Sequence, residues 1–377
     1  MLLPFVAAKA SPEEFAHVVL VITVSAVISN LVGGESANTL LIRGHAYAEE
    51  GRRWDFHKVF LWATLGGLLI SSGIWTLIAG KPSTVLGAGT LMLMTALRLF
   101  LASPFRLQQR FGVVTTAHLV YVLGSLSALP ATVRGAPLLT PFLVGEAVSV
   151  LFLCAVLLRQ RRRGTPEKWG TAHPFVGSLK TYVALATAAA LANVVGYMDR
   201  LFITPLLGAS ALAVYFAASV IPKSLGVVTN PLVGLLLARF GSSSDEDAPD
   251  ILRSLLKLVP AAAIIGTVLA LGAGWLGLSL LYPQFEQEGR EVIPPISLSV
   301  GIATGAYLLQ PFILRFRPSR YIIFANAIQA IIFVVSALVL SRQFGVVGFA
   351  WASAITHLGL LLVFLSIVHE RRATNSS

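Results

Sequence analysis

Residues Asn193–Phe240 read NVVGYMDRLFITPLLGASALAVYFAASVIPKSLGVVTNPLVGLLLARF. The stretch is almost wholly apolar, yet it carries Asp199, Arg200 and Lys223. A charge at the centre of a bilayer costs about 2.5–3.5 kcal/mol on insertion scales, so such residues persist there when paired, solvated or useful. Two spanning helices fit the segment, joined outside by a short turn at Leu207–Ser210. Pro222 stands just before Lys223 and removes a backbone hydrogen bond, which a helix tolerates inside a bundle.

The rest of the chain has the same character. Of its 377 residues, 56% are hydrophobic and 12% charged, about half the charged share of a soluble chain, which makes this an integral membrane protein. The net charge of +11 suggests nucleic acid in a soluble protein, but here the basic residues sit in short loops, so no nucleic-acid partner is expected. The single cysteine, Cys154, excludes an intramolecular disulfide. No HExxH, GxSxG, Walker loop or Cys/His cluster occurs, so the sequence offers no catalytic residues, metal ligands or cofactor site, and no enzyme activity is expected.

A spanning helix needs about 20 apolar residues. Candidate spans cover 15–42, 59–80, 84–103, 111–130, 137–158, 177–207, 209–238, 252–281, 291–314, 319–341 and 346–369. The expected fold is therefore all-α, with about eleven transmembrane helices. The basic, proline-punctuated segment 159–178 (RQRRRGTPEKWGTAHPFVGS) divides an N-terminal lobe, 1–158, from a C-terminal lobe, 179–377. Twenty Lys and Arg lie in one set of alternating loops and only six at the opposite ends. The positive-inside rule makes the first set cytoplasmic and puts the C-terminus with it, in a multi-pass protein of the cell (cytoplasmic) membrane. Ser11–Arg43 and Ser210–Arg239 form a weak repeat, of the sort from which transporters build a central site.

Depth within the bilayer selects the candidate site residues. At 1.5 Å per residue, Lys223 lies about 21 Å from the outer turn, near the midplane and beyond snorkelling reach. A cavity role is expected for it; the competing expectation is neutralisation of a buried partner such as Glu146. Arg98 lies close to a cytoplasmic end, where it either snorkels or binds substrate. Asp199 and Arg200 are helix neighbours that do not face each other, so they serve different partners, as a gate or a structural pair. Glu146, His118 and His357 sit at mid-depth, where they relay protons or hydrogen-bond between helices.

Four stretches resemble the polysaccharide and O-antigen flippases of the multidrug/oligosaccharidyl-lipid/polysaccharide exporter superfamily. Ser11–Arg43, with its Pro-Glu-Glu-aromatic opening and closing Arg43, is similar to the family's second helix. Asn193–Phe240 is similar to the seventh and eighth, Leu280–Phe285 (LLYPQF) to the outer loop after the ninth, and Phe344–Ala354 (FGVVGFAWASA) to the start of the twelfth. The chain departs from that pattern in having about eleven helices and starting outside. Residues 1–10 look like the tail of a first helix, so the front lobe is expected to be truncated. Ala238-Arg239 stands where the family's eighth helix closes with Pro-Arg.

The resemblance implies two helical lobes around a central cavity that alternate access. The implied function is translocation of a lipid-linked oligosaccharide, joined through polyprenyl pyrophosphate, across the cytoplasmic membrane. Membrane lipids and a polysaccharide polymerase are the further partners. Lys223, Arg98, Arg43 and Arg200 would bind the substrate; Asp199, Glu146, His118 and His357 would gate or couple. The alternatives are a cation-coupled multidrug exporter of the same superfamily, which calls for acidic central residues, and a membrane-embedded glycan ligase, which calls for a large outer loop.

Overall fold

A computed structural model describes residues 2–48, 54–78, 81–161, 175–226, 232–233, 235–236, 240, 246, 248–318 and 320–374. Every regular element among them is helical. In chain order they are α1 Leu2–Lys9, α2 Pro12–Ser29, a π-helical turn Asn30–Gly34, α3 Glu35–Ala48, α4 Trp54–Ile78, α5 Pro82–Leu107, α6 Phe111–Ser127 and α7 Leu129–Val133. There follow α8 Thr140–Arg161, α9 Phe175–Leu207, α10 Ala209–Ser224, α11 Ala248–Leu281, a 3-10 turn Pro283–Phe285, α12 Glu286–Gly289, α13 Ile293–Phe316 and α14 Arg320–Thr374.

The last helix is two helices meeting at Gly345, whose φ of 58° and ψ of −135° break the spiral. Among the described residues, eight helical stretches are long and apolar enough to span, and two shorter apolar helices, Phe175–Ala190 and Ala209–Ser224, accompany them. Counting Arg320–Thr374 as two, each expected span falls on a helix. The span 209–238 is described mainly as α10, because 227–231, 234 and 237–239 of its second half lie outside the described residues.

Local chemistry accounts for the starts and breaks. Ser11 and Glu14 form a reciprocal cap at the head of α2. The Glu14 N–H donates to Ser11 Oγ at 3.2 Å, and the Ser11 N–H to Glu14 Oε2 at 3.0 Å. Pro82 opens α5 where no amide hydrogen is needed. Gly208 separates α9 from α10 at a φ of 89°, a left-handed value that glycine adopts without penalty.

The chain folds as two compact units. One holds residues 1–6 and 17–197, the other 7–16 and 198–377. The boundary lies at Tyr197/Met198, within α9. Most of the 159–178 segment read as a linker, residues 162–174, lies outside the described residues.

In the first unit, small residues at four-residue spacing bring α2 and the π turn against α5. Ser25 Oγ donates to Ala88 O at 3.3 Å, and Ser29 Oγ to Met92 O at 2.8 Å. One step on, a Cβ on Gly33 would stand 2.3 Å from Ala96 O, so only glycine fits. In the π turn the Glu35 N–H donates to Asn30 O, five residues back. Tyr182 on α9 donates to Leu31 O at 3.2 Å, and the carboxamides of Asn30 and Asn193 pair at 3.2 Å.

In the second unit, α11 and α13 cross at Gly266, Gly301 and Gly305. Their ends on one side join Phe240, Phe312, Leu360 and Phe364 in an apolar core. At the other end Phe15 packs against Phe216 and Phe285, each 5.8 Å away, and Tyr282 at 6.1 Å. In both units large apolar side chains remain exposed, for example Leu69 and Leu77 in the first and Ile264 and Ile331 in the second, as a lipid-facing surface requires.

Candidate functional site

Two polar clusters are set into the apolar helices, one in each unit. The second unit's cluster starts from the charges in the α9–α10 hairpin. Asp199 sits in the last third of α9, and Lys223 in the last turn of α10 beside Pro222. The Lys223 ammonium pairs with Asp199 Oδ2 and donates to the Tyr215 hydroxyl at 3.0 Å. Tyr215 donates in turn to Asp199 Oδ2 at 3.1 Å and lies 3.2 Å from Ser353 Oγ. Asp199 Oδ1 accepts the Arg200 backbone N–H at 2.9 Å. The Asp199 side chain is 9% exposed and that of Lys223 27%, so the cation is the more open partner.

Lysine carries three ammonium hydrogens. Two have protein acceptors here; the third has none among the described residues. Lys223 also lies 5.0 Å from the centre of the Tyr215 ring, and Tyr215, fully buried, is braced edge-on against Phe349 at 5.4 Å.

One helical turn beyond Ser353, His357 Nδ1 lies 3.0 Å from Ser353 O and 2.8 Å from Ser299 Oγ, while Tyr307 stands edge-on to its ring at 6.4 Å. Arg200 points elsewhere: its guanidinium lies over the Phe216 ring at 5.0 Å.

In the first unit, Arg98 on α5 forms a two-point ion pair with Glu146 on α8. Nε to Oε2 measures 2.6 Å and Nη2 to Oε1 3.0 Å. Thr95 Oγ1 adds a third donor to Oε1 at 3.1 Å. The remaining guanidinium nitrogen, Nη1, lies 3.3 Å from His118 Nε2. Because the guanidinium only donates, Nε2 accepts, and His118 Nδ1–H donates to Val114 O at 2.8 Å. Tyr121 receives the guanidinium on its face at 5.3 Å. The Glu146 side chain is 5% exposed and that of Arg98 14%.

The structure corrects one expectation. Lys223 does not neutralise Glu146: Glu146 belongs to Arg98, and the partner of Lys223 is Asp199. The depth count placed Asp199 towards the outer face and Lys223 at the midplane. Two groups close that gap: the long lysine stem, and Tyr215 bonded to both charges. Of the residues named from sequence, Asp199, Lys223 and His357 share the second unit's cluster, and Arg98, Glu146 and His118 the first unit's. Arg43 lies on α3, and its side chain is outside the described residues.

Tyr215, Ser353, Thr95 and Tyr121 were missed. No sequence signal tells a buried hydrogen-bonded hydroxyl from ordinary helix packing. Among the described residues no three His, Cys, Asp or Glu side chains converge as a metal site would require.

No protein-family model matches the sequence, and no curated protein matches it. Solved structures do. An inward-facing multidrug resistance MATE family transporter of the MOP superfamily matches with a TM-score of 0.76 at 12% identity, covering 100% of this chain and 94% of that one. The lipid II flippase MurJ, in an inward closed conformation, matches with 0.69 at 13% identity over 97% of this chain and 84% of that one. A MOP superfamily transporter from Pyrococcus furiosus, described as having a binding pocket of reverse polarity that suggests a different function, matches with 0.65 at 12% identity, covering 100% and 91%. This chain therefore has the fold found in MOP superfamily transporters.

Proposed function

We propose that the protein is a membrane transporter that carries a lipid-linked oligosaccharide, joined through polyprenyl pyrophosphate, from the cytoplasmic to the outer leaflet by alternating access. The observation that carries this reading is Lys223. It is a cation deep in an apolar hairpin, more exposed than its carboxylate partner, with one ammonium hydrogen that has no acceptor among the described residues. Ammonium groups bind phosphate oxygens through short charge-assisted hydrogen bonds. The likeness in fold to a lipid II flippase supports the same substrate class. Arg98 is the weaker candidate for this contact, because Glu146 and His118 already engage three of its nitrogens; we assign it to holding α5, α6 and α8 together.

A second reading, export of a small molecule coupled to a cation, draws on the buried carboxylates Asp199 and Glu146 and on the likeness to MATE transporters. Each carboxylate already holds a side-chain cation, which disfavours a further cation at either.

Proteoliposomes separate the readings. Purified protein is expected to move a fluorescent polyprenyl-pyrophosphate oligosaccharide between leaflets, and Lys223→Ala to abolish that movement while inserting normally. Lys223→Arg is expected to retain part of the rate, because charge survives while a point donor becomes a planar fork. Transport of organic cations driven by an ion gradient, with no movement of the lipid-linked glycan, would overturn the assignment.

A further inference from the structure

The ion pair at the head of this site has an unequal build. Asp199 is the better held partner. Its Oδ1 has the Arg200 N–H at 2.9 Å, and its Oδ2 has the Tyr215 hydroxyl at 3.1 Å in addition to Lys223. Removing Lys223 from contact leaves a neutral donor on each carboxylate oxygen. Lys223 has less: Asp199, one phenol oxygen, and a third hydrogen with no acceptor among the described residues, on a side chain three times as exposed as its partner's. Breaking a buried pair is normally strongly destabilising because one charge is stranded. Here the carboxylate stays hydrogen-bonded, so the pair is made to be exchanged.

We propose that Asp199 is an internal competitor for Lys223, occupying the position that a phosphate oxygen of the substrate takes. This rests on the assignment of Lys223 as the phosphate contact. An incoming phosphate first meets the open ammonium hydrogen and then displaces Asp199, which stays on Tyr215 and the Arg200 amide. Release runs the other way: the carboxylate returns to the ammonium and expels the phosphate without any nucleotide hydrolysis. A permanently bare ammonium would hold a pyrophosphate too tightly to let it go. The residue that tunes affinity is then Asp199, and Tyr215 is the positioning residue that parks it.

The test is binding and turnover in parallel. Asp199→Asn keeps the shape and an acceptor for Lys223 but removes the competing charge. Charge-assisted hydrogen bonds are about twice as strong as neutral ones, so the variant is expected to bind inorganic pyrophosphate and a polyprenyl pyrophosphate roughly tenfold more tightly than the parent protein. Its transport turnover is expected to fall, because release slows. Asp199→Glu restores the competitor and is expected to return both values towards the parent's. Lys223→Ala added to Asp199→Asn is expected to erase the gain.

Unchanged or weaker binding of both probes by a folded Asp199→Asn protein overturns the inference, as does a gain that survives the loss of Lys223. If Asp199→Asn does not fold, infrared difference spectra of the parent protein carrying 13C-labelled aspartate serve instead. Pyrophosphate is expected to shift an aspartate carboxylate band, and no shift overturns the proposal. A protein that gains pyrophosphate affinity in Asp199→Asn yet never moves the lipid-linked glycan refutes the substrate assignment and leaves the competition standing.

Discussion

The Arg98–Glu146 pair gives the most quantitative test of the first unit. Arg98→Ala removes both guanidinium contacts, at 2.6 and 3.0 Å, and leaves the 5%-exposed Glu146 carboxylate with Thr95 as its one side-chain donor among the described residues. Stranding a buried charge in this way costs about 3–5 kcal/mol. For a unit of this size each kcal/mol moves the melting point by about 2–4 °C, so a fall of roughly 6–20 °C is expected. Replacing both partners by apolar residues, Arg98→Met with Glu146→Leu, strands nothing and is expected to restore most of the loss.

The readout is built into the chain. Cys154, its one cysteine, sits partly buried on α8, two turns after Glu146, so a thiol-reactive dye in detergent micelles reports the opening of this unit. An Arg98→Ala melt within about 2 °C of the parent's would refute the reasoning. So would a double variant no more stable than the single one. Transport by a stable Arg98→Met/Glu146→Leu protein would in addition assign the pair to scaffolding.

Three further predictions follow from other parts of the molecule. A Cβ at Gly301 would lie 2.3 Å from the Ala263 carbonyl and closer still to Thr267 Oγ1, so Gly301→Ala is expected to cost about 1–3 kcal/mol and Gly272→Ala, where a Cβ meets open space, far less; melting curves compare them. Between α11 and α13, hydrogen bonds from Arg290 and Ser279 hold the Glu286 carboxyl below its ordinary value of 4.5, so its contribution is present above that pH and lost as pH falls through the lower folded value. Glu286→Gln is expected to flatten that acid limb of the melting profile, and an unchanged limb would count against the contact. A reporter fused after Ser377 is expected to be active only as a cytoplasmic protein, on the strength of the twenty-to-six division of loop cations; periplasmic activity would reverse the topology.

Some of this was legible in the amino-acid sequence alone. Hydropathy and length measure how a segment partitions into a bilayer, and this property belongs to each helix by itself. The eleven spans, the turn at Gly208 and the break before the last span could therefore be read directly, as could the presence of Asp199, Lys223, Arg98 and Glu146 in apolar surroundings. Which charge meets which depends on the rotation of each helix about its axis and on its register against its neighbours. Those are decided by close contacts such as Gly33 against Ala96 and Gly301 against Ala263, where an absent side chain sets the approach. The sequence offered Glu146 as one buried partner that Lys223 could neutralise. Packing instead folds the α9–α10 hairpin so that Lys223 reaches Asp199, with Tyr215 between them, and stacks α5 on α8 so that Arg98 claims Glu146. Charges in a bilayer seek the nearest partner in space, and only the tertiary structure says which one that is.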